Sequence, residues 1–463
     1  MGTLIRGGTV VTATDNTSAD VLIEGEKISM LAQRIDPRGH EVIDASGAYV
    51  LPGGIDPHTH FDMPFGGTVT ADDFESGTRG AAIGGTTTVV DFALHTKGDS
   101  LQNALKTWHA KAAGKACIDY SFHLTIADGR DETMNEIPTI INEQGVNSFK
   151  VFMAYKHVLY VDDETIFKTL QACRDAGGLV QVHAENGDVI EVTTRQALAA
   201  GKTEPKWHAL TRPVECEGEA THRAIRLAEI AGAPLYVVHV SSAMAADMIG
   251  EGRKRGLSIY GETCPQYLVC DSTDYERPNF EGAKYVLSPP VRDKWNQAVL
   301  LRKLKNMELH TFGSDHCSFN LCGQKELGRS DFSKIPNGAP TAEDRLAILW
   351  QVGVNSGMLG VNQFVALTST NSAKLFGLFP RKGTIAPGSD ADVLIWDPKT
   401  KRTISAKTHH MNVDNNVFEG MEIEGAPRYV FSRGVKVAEG QAFTGRKGHG
   451  IFQAASKFFP VQL

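Results

Sequence analysis

The residues with the most suggestive chemistry in this sequence are His58 and His60, which flank Thr59 at the end of an apolar run. Residues two apart on a strand share one face, so both imidazoles could bind a single cation. The pair alone is a weak signal, because the chain has 16 histidines and such a spacing can arise by chance. Further ligands on neighbouring elements would turn it into a metal site.

Other ionisable residues lie near the ends of further short apolar runs. A lone strand histidine is usually hydrogen-bonded in a core, and an aspartate at a strand end usually caps a helix. In a parallel barrel, however, all these residues would meet at the carboxyl-terminal rim, where burial of so many ionisable groups is costly unless a cation binds them. The predicted ligand set is therefore His58, His60, Lys150, His183, His239 and Asp315.

Lys150 differs from the other candidate ligands because a protonated ammonium has no lone pair to offer a metal. Nearby cations lower a lysine pKa, and the neutral amine can add CO₂ to form a carbamate, an N6-carboxylysine. The two carbamate oxygens could bridge two metals, so Lys150 predicts a binuclear site. The alternative is a buried salt bridge between Lys150 and Asp315 or Glu185.

Eight apolar runs rich in Val, Ile and Thr must position these side chains, and helical, Ala-rich segments follow most of them. Eight strand-helix units in a span of ~250 residues are typical of a (β/α)₈ TIM-like barrel. A doubly wound open sheet is the alternative, but no G-x-G-x-x-G follows the first run. The runs cover residues 51–58, 86–94, 118–125, 148–154, 179–185, 234–242, 257–265 and 308–315.

Both ends of the chain show short strand patterns without helices between them. Neither end has enough strands for a stable sheet, so we expect the two ends to pair into one small β-sandwich. The predicted fold class is thus α/β, a barrel with an added sandwich. Residues 1–51 and 379–440 would form the sandwich and 52–378 the metallohydrolase barrel, with 441–463 a tail that contacts a neighbouring subunit.

The composition argues against several kinds of partner. The formal net charge is −7 and no basic cluster is present, which disfavours nucleic acid. No signal segment and no apolar run of membrane-spanning length is found, so we predict a cytoplasmic protein without a membrane partner. Seven cysteines without C-x-x-C spacing predict reduced thiols rather than disulfides.

Several of these segments resemble the cyclic amidohydrolases, in particular the group of hydantoinases and dihydropyrimidinases. The resemblance rests on residues 54–60, 149–156, 312–316 and 382–392, and segment 62–74 looks more like bacterial hydantoinases than animal dihydropyrimidinases. It implies two divalent ions, zinc by preference, although manganese and cobalt accept the same ligands. One ion would be bound by His58, His60, Lys150 and Asp315, and the other by Lys150, His183 and His239.

The resemblance also implies roles for residues near the metals. Tyr155 would stabilise an oxyanion, and Asp315 would transfer a proton from the attacking hydroxide to the leaving nitrogen. Ser288 and Asn337 would bind the substrate imide through backbone groups, although both would also suit ordinary turns.

Three apolar side chains are expected around the mouth of the site: Phe65, Phe152 and Leu159. In related hydantoinases such residues face the 5-substituent of the ring, which suggests tolerance of apolar or aromatic substituents. Plain core packing would explain Phe152 equally well.

The activity implied by the resemblance is hydrolysis of the cyclic amide bond of small imides or ureides by a hydroxide that bridges two metals. Its substrates would be 5-substituted hydantoins or dihydropyrimidines, and its products N-carbamoyl amino acids. A dedicated dihydropyrimidinase, and then an allantoinase, are the alternatives among enzymes, because the bridging Lys150 disfavours a deaminase. A noncatalytic scaffold of the same fold is the alternative outside them, and a homotetramer is the expected assembly.

Overall fold

The chain before the barrel folds into short strands in the computed structural model, which describes residues 2–156 and 158–463. Two of these strands were not predicted from the sequence. One, β3, is polar and exposed throughout, and the other, β6, lies at a sheet edge with little burial, so neither has an apolar pattern. The strands are β1 (Thr3–Arg6), β2 (Thr9–Val11), β3 (Asn16–Ser18), β4 (Asp20–Glu24), β5 (Lys27–Ala32), β6 (Glu41–Asp44) and β7 (Tyr49–Pro52).

Eight parallel strands of the described residues form a nearly closed barrel, and each overlaps one of the predicted runs. A bridge between Thr59 and His316 joins the last strand region to the first. Helices cover the outside, which explains why the strands read as continuous apolar runs. The strands are β8 (Gly54–Thr59), β11 (Thr86–Ala93), β12 (Asp119–Thr125), β13 (Ser148–Phe152), β14 (Leu179–His183), β15 (Leu235–Val237), β16 (Ile259–Thr263) and β17 (Thr311–Phe312), with a hairpin of β9 (Pro64–Phe65) and β10 (Thr68–Val69) after β8.

Some helices outside the barrel begin and end at capping residues, as α4 (Asp163–Ala176) illustrates. The Asp162 side chain accepts from the Thr165 N–H at its start, and Gly177 ends it at φ 83°. The other helices are α1 (Phe74–Ile83), α2 (Leu101–Ala112), α3 (Asp131–Glu143), α5 (Gly187–Ala199), α6 (Lys206–Leu210), α7 (Val214–Ala231), α8 (Ala243–Lys254), α9 (Gln266–Val269), α10 (Trp295–Lys305), α11 (Arg345–Leu349), α12 (Val361–Val365) and α13 (Asn371–Leu375). Short 3₁₀ turns include Lys325–Gly328 and Phe332–Lys334, and π-helical turns follow α11 and α12.

The strands after the barrel complete the sandwich, as predicted. They are β18 (Val393–Thr403), β19 (Glu422–Ser432), β20 (Val435–Glu439) and β21 (Ala442–Phe443). Strand β18 pairs with β7, so one seven-stranded sheet contains both ends of the chain, and it packs on the sheet of β5, β4, β1 and β6. The sequence of residues 427–437 predicts one continuous strand pattern, but the segment belongs to two strands, β19 and β20, because the chain turns at Arg433 and Gly434, both with positive φ.

The tail, residues 441–463, packs on its own barrel. Backbone bonds run from Gln453 N to Tyr120 O (2.7 Å), from Ala455 N to Gly145 O (2.8 Å) and from Phe458 N to Gly177 O (2.9 Å). These partners begin or precede β12, β13 and β14, so the tail crosses the amino-terminal ends of the strands. Phe459 remains 70% exposed, and the expected subunit contact, like the proposed domain limits, stays a prediction.

Two composition-based expectations bear on the described residues. Among the described residues, no helix combines the length and the apolarity needed to cross a membrane. All seven cysteines are free thiols, and Cys322 is the one that is exposed. The prediction of reduced thiols therefore agrees with the structure.

Candidate metal centre and active site

The predicted metal ligands converge at the carboxyl-terminal ends of the barrel strands. His58 lies on β8 and Lys150 on β13, while the others end a strand or follow it closely. Five of them line one cavity, and His58 is fully buried beside them. The five are His60, Lys150, His183, His239 and Asp315.

The first group of ligand atoms surrounds Asp315. Its Oδ1 lies 3.1 Å from His58 Nε2 and 3.4 Å from His60 Nε2, and the three residues offer ligand atoms within 4.8 Å of one another. His58 Nε2 is buried and has no hydrogen-bond partner among the described residues. Buried polar atoms are normally paired, so an unpaired nitrogen that faces a carboxylate fits a cation between them.

A second group lies beside the first. His183 Nδ1 and His239 Nε2 are 2.9 Å apart, and the rings of His239 and His58 are stacked at 5.4 Å. Burial lowers the pKa of each of these three histidines, so the rings are neutral and keep a lone pair for a metal. The residues present therefore fit two adjacent cations.

Lys150 lines the same cavity as both groups, and it forms no ion pair with Asp315 or Glu185, the two carboxylates considered as its alternative partners. Its Nζ lies 4.5 Å from the ring centre of Phe92, whereas Glu185 pairs with Arg212 and the Asp315 carboxylate lies against the rings of His58 and His60. Burial lowers the pKa of Lys150 to about 8. A neutral amine, which carbamate formation requires, is thus accessible near neutral pH.

Carboxylates behind the histidines orient the rings. Glu262 Oε1 lies 2.6 Å from His58 Nδ1, and Glu185 Oε2 lies 2.9 Å from His183 Nε2. The other ring nitrogen then lies toward another candidate ligand, His58 Nε2 toward Asp315 and His183 Nδ1 toward His239, as in carboxylate-histidine-metal arrangements. Sequence reasoning missed Glu262, although a charged residue inside the apolar run at 257–265 was the signal for it.

The backbone is strained at three site residues. Tyr155, His239 and Asp315 have φ values of 63°, 39° and 51°, a region that costs non-glycine residues about 1–3 kcal/mol each. Close approach is also enforced at Gly313, where a Cβ would lie 2.5 Å from Glu262 Oε2. Backbone strain of this kind is typical of sites where side chains must be held in one orientation.

The predicted substrate-binding residues lie on the wall of the same cavity. Asn337 Nδ2 donates to Ser288 Oγ (3.1 Å), and Tyr155 lines the cavity together with both residues. Burial raises the pKa of Tyr155 above its ordinary value, so the hydroxyl keeps its proton at neutral pH and can donate it.

The predicted apolar residues Phe65, Phe152 and Leu159 also line this cavity. The rings of Phe65 and Phe152 pack against Tyr155 with centroids 5.4 and 6.1 Å away. Sequence reasoning missed the rest of the wall, which only the tertiary fold brings together. The missed residues are Met63, Leu94, Leu287, Cys317 and Gly338.

Comparison with known proteins defines the class. The model of the amidohydrolase family matches residues 49–437, and the chain belongs to this family of metal-dependent hydrolases. This match indicates that the chain is a hydrolase.

The relatives narrow the class. The chain is 58% identical to the D-hydantoinase of Geobacillus stearothermophilus, over 99% of this chain and 97% of that protein. It is 46% identical to the dihydropyrimidinase of Rattus norvegicus, over 97% of this chain and 88% of that protein. The crystal structure of the dihydropyrimidinase from Brevibacillus agri NCHU1002 superimposes with a TM-score of 0.98 at 59% identity, covering 99% and 100% of the chains. The predicted barrel and the predicted family are therefore confirmed.

Proposed function

We propose that the chain hydrolyses the cyclic amide bond of 5-substituted hydantoins and dihydropyrimidines and releases N-carbamoyl amino acids. One observation carries the proposal: five of the six metal-ligand candidates line the same cavity as Tyr155, Ser288 and Asn337, and the sixth, His58, is buried beside them. The similarity to proteins named D-hydantoinase and dihydropyrimidinase supports this choice of ring.

The metal ligands are assigned in two groups that share Lys150 as a carbamate formed with CO₂. When bound, the two divalent ions would supply hydroxide at neutral pH and polarise the ring carbonyl. Zinc is the proposed metal, and manganese and cobalt accept the same nitrogen and oxygen ligands. His58, His60, Lys150 and Asp315 would hold one ion, and Lys150, His183 and His239 the other.

Two side chains then take part in the reaction: Asp315 transfers one proton, and Tyr155 stabilises the developing negative charge. As the water oxygen bonds to the carbonyl carbon, Asp315 accepts the proton, and it returns that proton to the ring nitrogen when the carbon–nitrogen bond breaks. The Tyr155 hydroxyl donates to the carbonyl oxygen as negative charge builds there. The backbone at Ser288 and Asn337 holds the imide in register.

Replacement of Tyr155 tests this mechanism. Tyr155→Phe removes the donor but keeps the ring, so kcat should fall by about 10²–10³ while both ions remain bound. Tyr160→Phe is the matched control, because Tyr160 lies on the same loop outside the cavity wall, and it should behave as wild type. An unchanged kcat in Tyr155→Phe would rule out the assigned role.

The apolar wall favours substituted hydantoins over other rings. Phe65, Phe152 and Leu159 offer no hydrogen bonds from their side chains, so they suit an apolar 5-substituent. We expect kcat/KM to be higher for 5-phenyl or 5-isopropyl hydantoin than for dihydrouracil or allantoin. A preference for dihydrouracil would instead make the protein a dedicated dihydropyrimidinase, and a preference for allantoin would contradict the proposed specificity.

We also propose that the protein is a cytoplasmic homotetramer. The exposed apolar side chains of Ile451 and Phe459 on the tail support contact with another subunit. Light scattering should give four times the mass of the chain, and a monomeric mass would contradict the assembly.

A further inference from the structure

Lys325 lies fully buried behind the two loops that carry Ser288 and Asn337. Its Nζ donates to the carbonyl oxygen of Val286 at 3.0 Å and to that of Pro336 at 3.1 Å. Val286 lies two residues before Ser288, and Pro336 directly precedes Asn337. One amine therefore joins the backbones of both loops.

Both atoms that Lys325 contacts are neutral carbonyls, which is unusual for a buried lysine. Burial lowers the pKa of Lys325 to about 7, against the ordinary 10.5. A neutral amine has two N–H groups, which match the two carbonyl acceptors. Burying a lysine without an opposite charge is costly. We therefore expect a lysine at this position only if its two hydrogen bonds have a specific role.

Other contacts seat the same loops tightly. The Gly338 N–H donates to Val286 O at 3.0 Å, the oxygen that Lys325 also contacts. His208 Nε2 lies 2.8 Å from Leu287 O. Gly338 has φ +149°, and a Cβ there would lie 2.2 Å from the Cys317 carbonyl oxygen, so the loop fits closely against the cavity wall.

We propose that Lys325 is a positioning residue that sets the distance between the Ser288 and Asn337 loops and thereby the binding of the substrate ring. The inference rests on the proposed function, which assigns ring binding to these loops. Because its hydrogen bonds go to loop carbonyls rather than to metal ligands, Lys325 acts on substrate affinity and not on the chemical step.

Lys325→Met tests the inference, since methionine has a similar length but no donor. KM should rise about tenfold, from the loss of two hydrogen bonds, while kcat stays within about twofold and both metals remain. The rise should be equal for hydantoin, 5-substituted hydantoins and dihydrouracil, because the loops contact the part that these rings share. Lys334→Met is the control, since Lys334 is an exposed lysine of the neighbouring 3₁₀ turn.

Lys325→Gln is the second variant, with two N–H donors on a shorter side chain, and its KM should lie between those of wild type and Lys325→Met. Unchanged KM in metal-loaded Lys325→Met, a fall in kcat alone, or a KM effect that varies with the 5-substituent would overturn the inference. Loss of cooperative unfolding in both variants would assign Lys325 to fold stability and overturn it too. A wild-type protein that hydrolysed none of the rings would contradict the proposed function instead.

Discussion

Two clusters of potential metal ligands occupy opposite ends of the barrel, and they differ in whether a side chain of the protein compensates their charge. The upper cluster, at the carboxyl-terminal ends of the strands, consists of His58, His60 and Asp315, with Lys150, His183 and His239 beside them. The lower cluster consists of Asp119, at the start of β12, with Asp390 and Asp392 from the segment that leads into β18. By composition alone, either could bind a metal.

The lower cluster already contains a cation of the protein. Lys382 Nζ donates to Asp119 Oδ2 at 2.8 Å and to Asp392 Oδ2 at 2.6 Å, and it lies 3.1 Å from Asp390 Oδ2. Arg433 Nε donates to the other oxygen of Asp119 at 3.0 Å. Burial opposes the charge of Lys382, but the surrounding carboxylates raise its pKa above the ordinary value.

The upper cluster lacks such a charged partner from the protein among the described residues. His58 Nε2 lacks a hydrogen-bond partner in the described part of the chain, and burial lowers the pKa of Lys150 to about 8. The number of acidic and histidine side chains therefore does not identify a metal site. In the upper cluster, an unpaired histidine nitrogen and a lysine that can lose its charge are the features that favour a cation.

Lys150→Ala should have the largest effect on the upper cluster. Removing a ligand shared by both ions should release metal and lower kcat by at least about 10³-fold. A short carboxylic acid should partly restore both, because it can replace the carbamate. Metal analysis that still found two ions per chain would disprove the carbamate bridge.

Lys382→Met should have the largest effect on the lower cluster. Three carboxylates lose their central cation, so the free energy of unfolding should fall by about 3–5 kcal/mol in urea denaturation. The folded variant should keep both metals. Lys27→Met, which removes a half-exposed partner of Asp390, is the control and should cost less than about 1 kcal/mol. Metal loss with unchanged stability would reverse the assignment of the two clusters.

Alkaline pH should reduce the contribution of Lys382. A lysine whose folded pKa is raised stabilises the fold fully below its unfolded pKa of about 10.4 and loses this effect as pH rises through the folded pKa. The difference in unfolding free energy between wild type and Lys382→Met should therefore narrow between about pH 10 and pH 11.5. A constant or widening difference would show that the Lys382 charge is not what stabilises this end of the barrel.

The upper cluster could be predicted from the sequence because each candidate ligand lies in one of the apolar runs or just after it. A parallel barrel brings all such ends together, so strand order was enough to gather the ligands. Glu262 was missed because its contact with His58 joins residues 204 positions apart and depends on side-chain direction.

The lower cluster and parts of the sandwich were not predicted for related reasons. Lys382 meets Asp119 across 263 positions, and no repeated pattern marks either residue. Strand β6 has only two apolar residues and is recognisable mainly through its pairing with β1. The turn at Arg433 and Gly434 interrupts an apolar pattern that otherwise continues, so periodicity alone could not divide it.

Anomalous diffraction at the zinc edge, from crystals grown with zinc, tests the distinction between the two clusters most directly. We predict two peaks at the upper cluster, one near His58 and His60 and one near His183 and His239, and none beside Lys382. The assignment of the metal site to the upper cluster would be contradicted by a single peak or no peak there. Any peak among Asp119, Asp390 and Asp392 would also contradict it.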